Sequence, residues 1–113
     1  MKIAYKKQRI ERKNSENCVV TEYPMIDSDI DFAIVKIIGR YPEKRRVVNI
    51  TCKEVVYVHE GKGTVEVHGE GYTLSAGDLI LIEAGEKFCW EGSMTLHISC
   101  HPPFNVDQHQ YID

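Results

Sequence analysis

Only a few side chains in this sequence combine a reactive group with a spacing that chemistry could use. Glu54 opens the alternating run Glu54-Val-Val-Tyr-Val58, with Lys53 beside it and Arg45 and Arg46 upstream. A carboxylate on the inner face of a strand must be paired, hydrogen-bonded or protonated. Glu54 therefore reads either as a polar anchor or general base with a pKa raised by burial, or as a strand-end partner for Lys53, Arg45 or Arg46. Asn49 shares strand parity with Val47 and reads as a pocket hydrogen-bonding group or as a strand-edge amide. Phe88 and Trp90 share a parity too, so their rings can wall a cavity or fill a core. His97 and His101 are candidate partners for Glu54, because two imidazoles and a carboxylate suit iron or zinc. Four residues of strand separate these histidines by about 13 Å, so one of them could join an ion but not both. His59 and His68 fall at a strand end and before a turn, where surface positions account for them.

Cys18, Cys52, Cys89 and Cys100 are well separated and form no Cys-x-x-Cys pair. They are expected to be reduced, buried thiols rather than disulfides or zinc ligands. Cys52 and Cys89 adjoin the pocket candidates, but Lys53 must point to the opposite face from Cys52 and cannot activate it.

The elements that would position these groups are strands. No window of a dozen residues carries a sustained helical period, whereas short β-branched and aromatic runs recur between turn residues. The expected strands are Cys18–Glu22, Phe32–Gly39, Arg46–Cys52, Glu54–Val58, Thr64–His68, Tyr72–Ser75, Leu79–Glu83, Lys87–Trp90 and Met94–Cys100. Gly61-Lys62-Gly63, Gly69-Glu70-Gly71, Ala76-Gly77-Asp78 and Ala84-Gly85-Glu86 mark turns between them. Strands at this spacing predict a sandwich or barrel. Leu79-Ile80-Leu81-Ile82 is apolar on both faces, so its outer face needs a cover, and a strand-mediated homodimer is the expected one.

The 113 residues suffice for one domain, with residues 1–17 as a basic N-terminal arm or edge strand. Apolar residues at 42% and charged residues at 27% exclude disorder, and no apolar run is long enough for a membrane helix. The first twenty residues carry a net +4 and the rest −7. The basic arm lacks the interleaved aromatics of a nucleic-acid surface. Neither nucleic acid nor membrane is an expected partner, and without an apolar leader the expected location is cytoplasmic.

Between Asn49 and Gly92 the sequence resembles the two motif blocks of the cupin superfamily. The first block places two histidines one residue apart, then a glutamate, then a glycine after six more residues. Glu54 and Gly61 match its second part, and Val47 and Asn49 stand where the histidines fall. The second block runs from a glycine through Pro-x-Gly to a histidine. Gly77 and Gly85 match it, Glu83 replaces the proline, and Phe88 replaces the histidine. The resemblance implies an all-β cupin double-stranded β-helix, a single jelly-roll barrel. It also implies a metal held by three histidines and a glutamate, of which only Glu54 is present.

The expectation is therefore a metal-independent cupin without a cofactor, binding a small polar or sugar-like molecule through Asn49 and Glu54 between Phe88 and Trp90. Two rivals stay open. One is a divalent-metal isomerase or dioxygenase with rearranged ligands, Glu54 with His97 or His101. The other is a structural dimerisation module whose cavity Phe88 and Trp90 plug. Whether the barrel is an enzyme is left open by the residues alone.

Overall fold

Strand parity dictates the architecture. From Phe88 to Cys100 the buried side chains are Phe88, Trp90, Met94, Leu96, Ile98 and Cys100, all of one parity, with Cys89 the one exception. One continuous strand thus presents a single apolar edge to the interior. In a computed structural model that describes residues 1–24 and 27–113, this is β8, Lys87–His101. The preceding strands are β1 (Ile10–Ser15), β2 (Cys18–Glu22), β3 (Ala33–Tyr41), β4 (Arg46–Asn49), β5 (Lys53–Val67), β6 (Glu70–Ser75) and β7 (Leu79–Ile82); β9 (His109–Ile112) ends the chain. Short 3-10 turns occupy Lys6–Gln8 and Val106–Gln108.

All nine strands belong to one curled antiparallel sheet, in the order β1-β2-β3-β8-β4-β9, with β5 also on β8 and carrying β6 and β7. The all-β jelly-roll expectation holds. Among the described residues no helix is long and apolar enough to cross a membrane.

Two pairs of expected strands turn out to be single strands. Glu54–Val58 and Thr64–His68 merge into the fifteen-residue β5, and Lys87–Trp90 and Met94–Cys100 merge into the fifteen-residue β8. Gly61-Lys62-Gly63 is therefore not a turn. The ladder pairs Val58 with Leu96 and Glu60 with Thr95, so His59 is an extra residue on β5. Such a bulge bends the strand and exchanges its faces. Before it the buried residues are Glu54, Val56 and Val58; after it the buried residue is Val65, of the other parity. Further along, Gly63 faces Gly92, and a Cβ at Gly63 would come within 2.3 Å of the Glu91 carbonyl oxygen. These glycines let two backbones approach more closely than side chains permit.

β1 falls within residues 1–17, for which the sequence left an arm or an edge strand open, and β9 is absent from the sequence reading. The N-terminal residues 10–15 lie at one edge of the sheet against β2, and β9 lies at the other against β4. Leu79 and Leu81 of β7 are exposed, and β7 pairs only with β5.

Gly92→Ala is expected to lower stability by about 2–3 kcal/mol, because its Cβ would lie 2.5 Å from the Gly63 Cα at a φ of +138°. A fall in the urea midpoint with an unchanged m-value checks this.

Candidate functional site

Inside the curl, a cavity of about 300 Å³ opens between β1, β2, β3 and the start of β5. Glu54 and Asn49 both line it, as do Phe88 and Trp90, so all four sequence candidates meet in one place. Phe88 and Trp90 pack edge to face at 6.0 Å and form a wall beside the space rather than a plug in it.

Glu54 reaches the interior because β5 turns its even residues inward before the bulge. It stands opposite Cys100 in the ladder and accepts a hydrogen bond from the Cys100 thiol at 3.7 Å. Neither Lys53, Arg45 nor Arg46 pairs with it among the described residues. Burial without a cation, reinforced by the Asp31 carboxylate, pushes its carboxyl up from 4.5 to about 7. Asp31 itself fastens the segment before β3 to the end of β8. Its two carboxylate oxygens accept the Cys100 and Phe104 backbone N–H groups at 2.7 and 2.8 Å, and its carbonyl accepts the Ser99 hydroxyl at 2.6 Å.

Asn49 is the start of a second polar group. Gln108 Oε1 accepts the backbone N–H groups of Thr51 at 3.1 Å and Cys52 at 3.3 Å, which fixes that amide and leaves Nε2 to donate to Asn49 Oδ1 at 3.1 Å. The same Oδ1 lies 2.7 Å from His109 Nδ1 and, being an acceptor, requires the proton there. His109 Nε2 is then the acceptor for the Tyr41 hydroxyl at 2.7 Å, and the Tyr111 hydroxyl stands 3.1 Å from Tyr41. Burial pulls the His109 imidazole down from 6.5 to about 4, helped by the Arg12 charge, so the ring is neutral at pH 7. Tyr41 is held protonated, chiefly by burial. Arg12, at the rim, is tied to Glu22 through two hydrogen bonds of 2.9 and 3.1 Å and to Asn14 Oδ1.

Sequence reasoning missed Arg12, Asp31, Tyr41 and His109. For His109 a signal exists: His109 and Tyr111 alternate with Gln110 in a short edge strand, which places both rings on one face. Three of the thiols are held protonated, whereas the hydrogen bond with Cys100 lowers Cys52. Burial pushes Cys18 up to about 12 and raises Cys89, while Cys100 is raised by its hydrogen bond with Cys52 and by burial. All four cysteines are free and buried.

Residues 49–98 match the family of cupin domains. The barrel has the cupin fold. No curated protein matches the sequence. Among solved structures, Pac13 of Streptomyces, a nucleoside dehydratase solved with uridine, superposes with a TM-score of 0.87 at 19% identity, over 99% of this chain and 90% of that one. KdgF from a Halomonas species gives 0.72 at 16% identity, over 95% and 98% of the two chains. An RmlC-like cupin from Shewanella frigidimarina gives 0.73 at 16%, over 92% and 93%.

A cupin metal does not fit the residues this barrel provides. Val47 is fully buried and faces Phe88 directly across the β4–β8 ladder, so two ligand positions are filled by hydrocarbon. The Asn49 oxygen is already shared by Gln108 and His109. His97 and His101 have the opposite parity to Cys100, the residue facing Glu54. His97 stacks on His59 at 4.5 Å, and His101 Nδ1 bonds the Asp29 carbonyl at 2.8 Å. Among the described residues no three His, Cys, Asp or Glu side chains gather to hold a metal.

Glu54 and His109 titrate in opposing senses. Between 4.5 and about 7 the folded state holds a proton on Glu54 that the unfolded chain has lost, so this contribution to stability falls as pH rises. Between about 4 and 6.5 the unfolded chain protonates the His109 side chain while the folded state does not, so this contribution falls as pH drops. Each is worth about 3 kcal/mol over its window. The two nearly cancel from pH 4.5 to 6.5. Thermal melts of Glu54→Gln are expected to show stability rising with pH there, and those of His109→Gln to show it falling; the reverse slopes would contradict the assignment.

Proposed function

We propose that this barrel binds a small polar molecule of nucleoside or sugar size in its cavity, without a metal, and that Glu54 carries a proton to or from that molecule. The observation behind this reading is a fully buried carboxyl with no cationic partner, open to a 300 Å³ space and poised at about 7. A group of that pKa is present in both acid and base forms at neutral pH, which is what general acid–base catalysis requires. The Phe88 and Trp90 wall suits the flat face of a base or a sugar ring. The likeness to Pac13 makes loss of water from a nucleoside-like substrate the reaction class to test first.

Trp90 is the chain's single tryptophan and lines the cavity, so its fluorescence reports occupancy. Uridine and free ribose are expected to perturb it. A carboxylate accepts a ligand hydroxyl more strongly than a carboxylic acid does, so affinity is expected to rise with pH through about 7. In Glu54→Gln that pH dependence is expected to vanish. Silence of Trp90 toward every nucleoside and sugar, or an unchanged pH dependence in the variant, would sink the reading.

The same protein is proposed to act as a homodimer in a reducing compartment such as the cytoplasm, consistent with its four free cysteines. Across β5 and β7, Val55 faces Leu81 and Tyr57 faces Leu79, giving a contiguous exposed apolar patch beside an unpaired strand edge. Light scattering is expected to give a dimer for the native chain and a monomer for Leu81→Glu; a native monomer at micromolar concentration would refute this.

A further inference from the structure

The charges lining the cavity restrict what can enter it. Glu22, Asp31 and Glu54 contribute carboxyl groups, and Arg12 is the one Lys or Arg side chain in the lining. That guanidinium is not free for a ligand. Its Nε and Nη2 are bound to the two oxygens of Glu22, its Nη1 donates to Asn14, and its plane lies 5.1 Å from the Phe104 ring centre. The imidazole of His109 carries no charge, because Asn49 and Tyr41 hold it as the Nδ1–H tautomer. Nothing in the lining therefore offers an anion an unpaired positive group.

The hydrogen-bonding sense points the same way. Tyr41 commits its only proton to His109, which leaves its oxygen as an acceptor, and the Asp31 carboxylate and the deprotonated form of Glu54 accept as well. A net-negative cavity repels a phosphate or carboxylate, and these acceptors pair with hydroxyl, amide or amine donors.

Building on the ligand-binding reading above, we infer that the cavity selects an uncharged or cationic, donor-rich ligand and rejects its phosphorylated or carboxylated counterpart. The specificity-determining contact is the Arg12–Glu22 pair, which keeps the one cation at the site from serving as a phosphate anchor. A guanidinium released from that pair would present the planar fork that phosphate binding uses.

The test compares uridine with uridine 5′-monophosphate by Trp90 fluorescence, at matched pH and ionic strength, in the native protein and in Glu22→Gln. Uridine is expected to bind at least about tenfold more tightly than the monophosphate to the native protein. Glu22→Gln removes one negative charge and unties Arg12, so the ratio is expected to shrink by about tenfold. Added salt is expected to narrow the native ratio as well, a measurement that needs no variant. A monophosphate bound as tightly as uridine overturns the charge inference while leaving the ligand-binding reading intact. So does a ratio that neither salt nor Glu22→Gln changes. No response to either nucleoside or to ribose overturns both.

Discussion

The ladder between β5 and β8 governs the rest of the molecule. It is the longest pairing in the sheet, running from Lys53–His101 to Val67–Phe88, and it contains one slip of register at His59. Because side chains alternate along a strand, that single extra residue exchanges the inward and outward sets of β5 halfway along. Without it, a strand that buries Glu54, Val56 and Val58 would later bury Glu66 and expose Val65. With it, both halves of β5 face the apolar row of β8, and the close Gly63–Gly92 approach holds them together. The site inherits its geometry from this: Glu54 points inward because the first half of β5 is fixed by the demands of the second.

Two polar arrangements then share one cavity under opposite rules. Glu54 is left with one weak sulfur donor and an acidic neighbour, so its charge is poorly supported and its proton is held. Both ring nitrogens of His109 have an assigned partner, in a chain that starts from two backbone N–H groups orienting Gln108 and ends at Tyr41. A fully connected network of this kind is rigid and stays in one protonation state. The labile group and the fixed group therefore have different origins: one lacks partners, and the other has its full set.

How much of this was legible in the sequence depends on the range of the interaction. Glu54, Asn49, Phe88 and Trp90 were readable because parity along a short strand is local, and the glycine framework set their register. Cys18–Glu22 was readable as β2 for the same reason. The continuity of β5 through Gly61-Lys62-Gly63 was not, because the local preference of glycine for turns is overridden by a partner thirty residues away in β8. His109, Asp31 and Arg12 were illegible as site residues for a related reason. They reach the cavity from β9, a connecting segment and β1; alternation could have placed His109 and Tyr111 on one face, but not what that face meets.

The facing of Val47 and Phe88 bears on how such a barrel changes over generations. The cupin motif places imidazoles at both positions. Here the two stand opposite each other in the ladder and both are buried apolar side chains. Replacing either one alone by histidine would bury an unliganded polar ring beside a hydrocarbon neighbour, a loss of stability with no ion yet held in return. A three-histidine metal site in this barrel would thus need several substitutions at once, with a destabilised form at each single step.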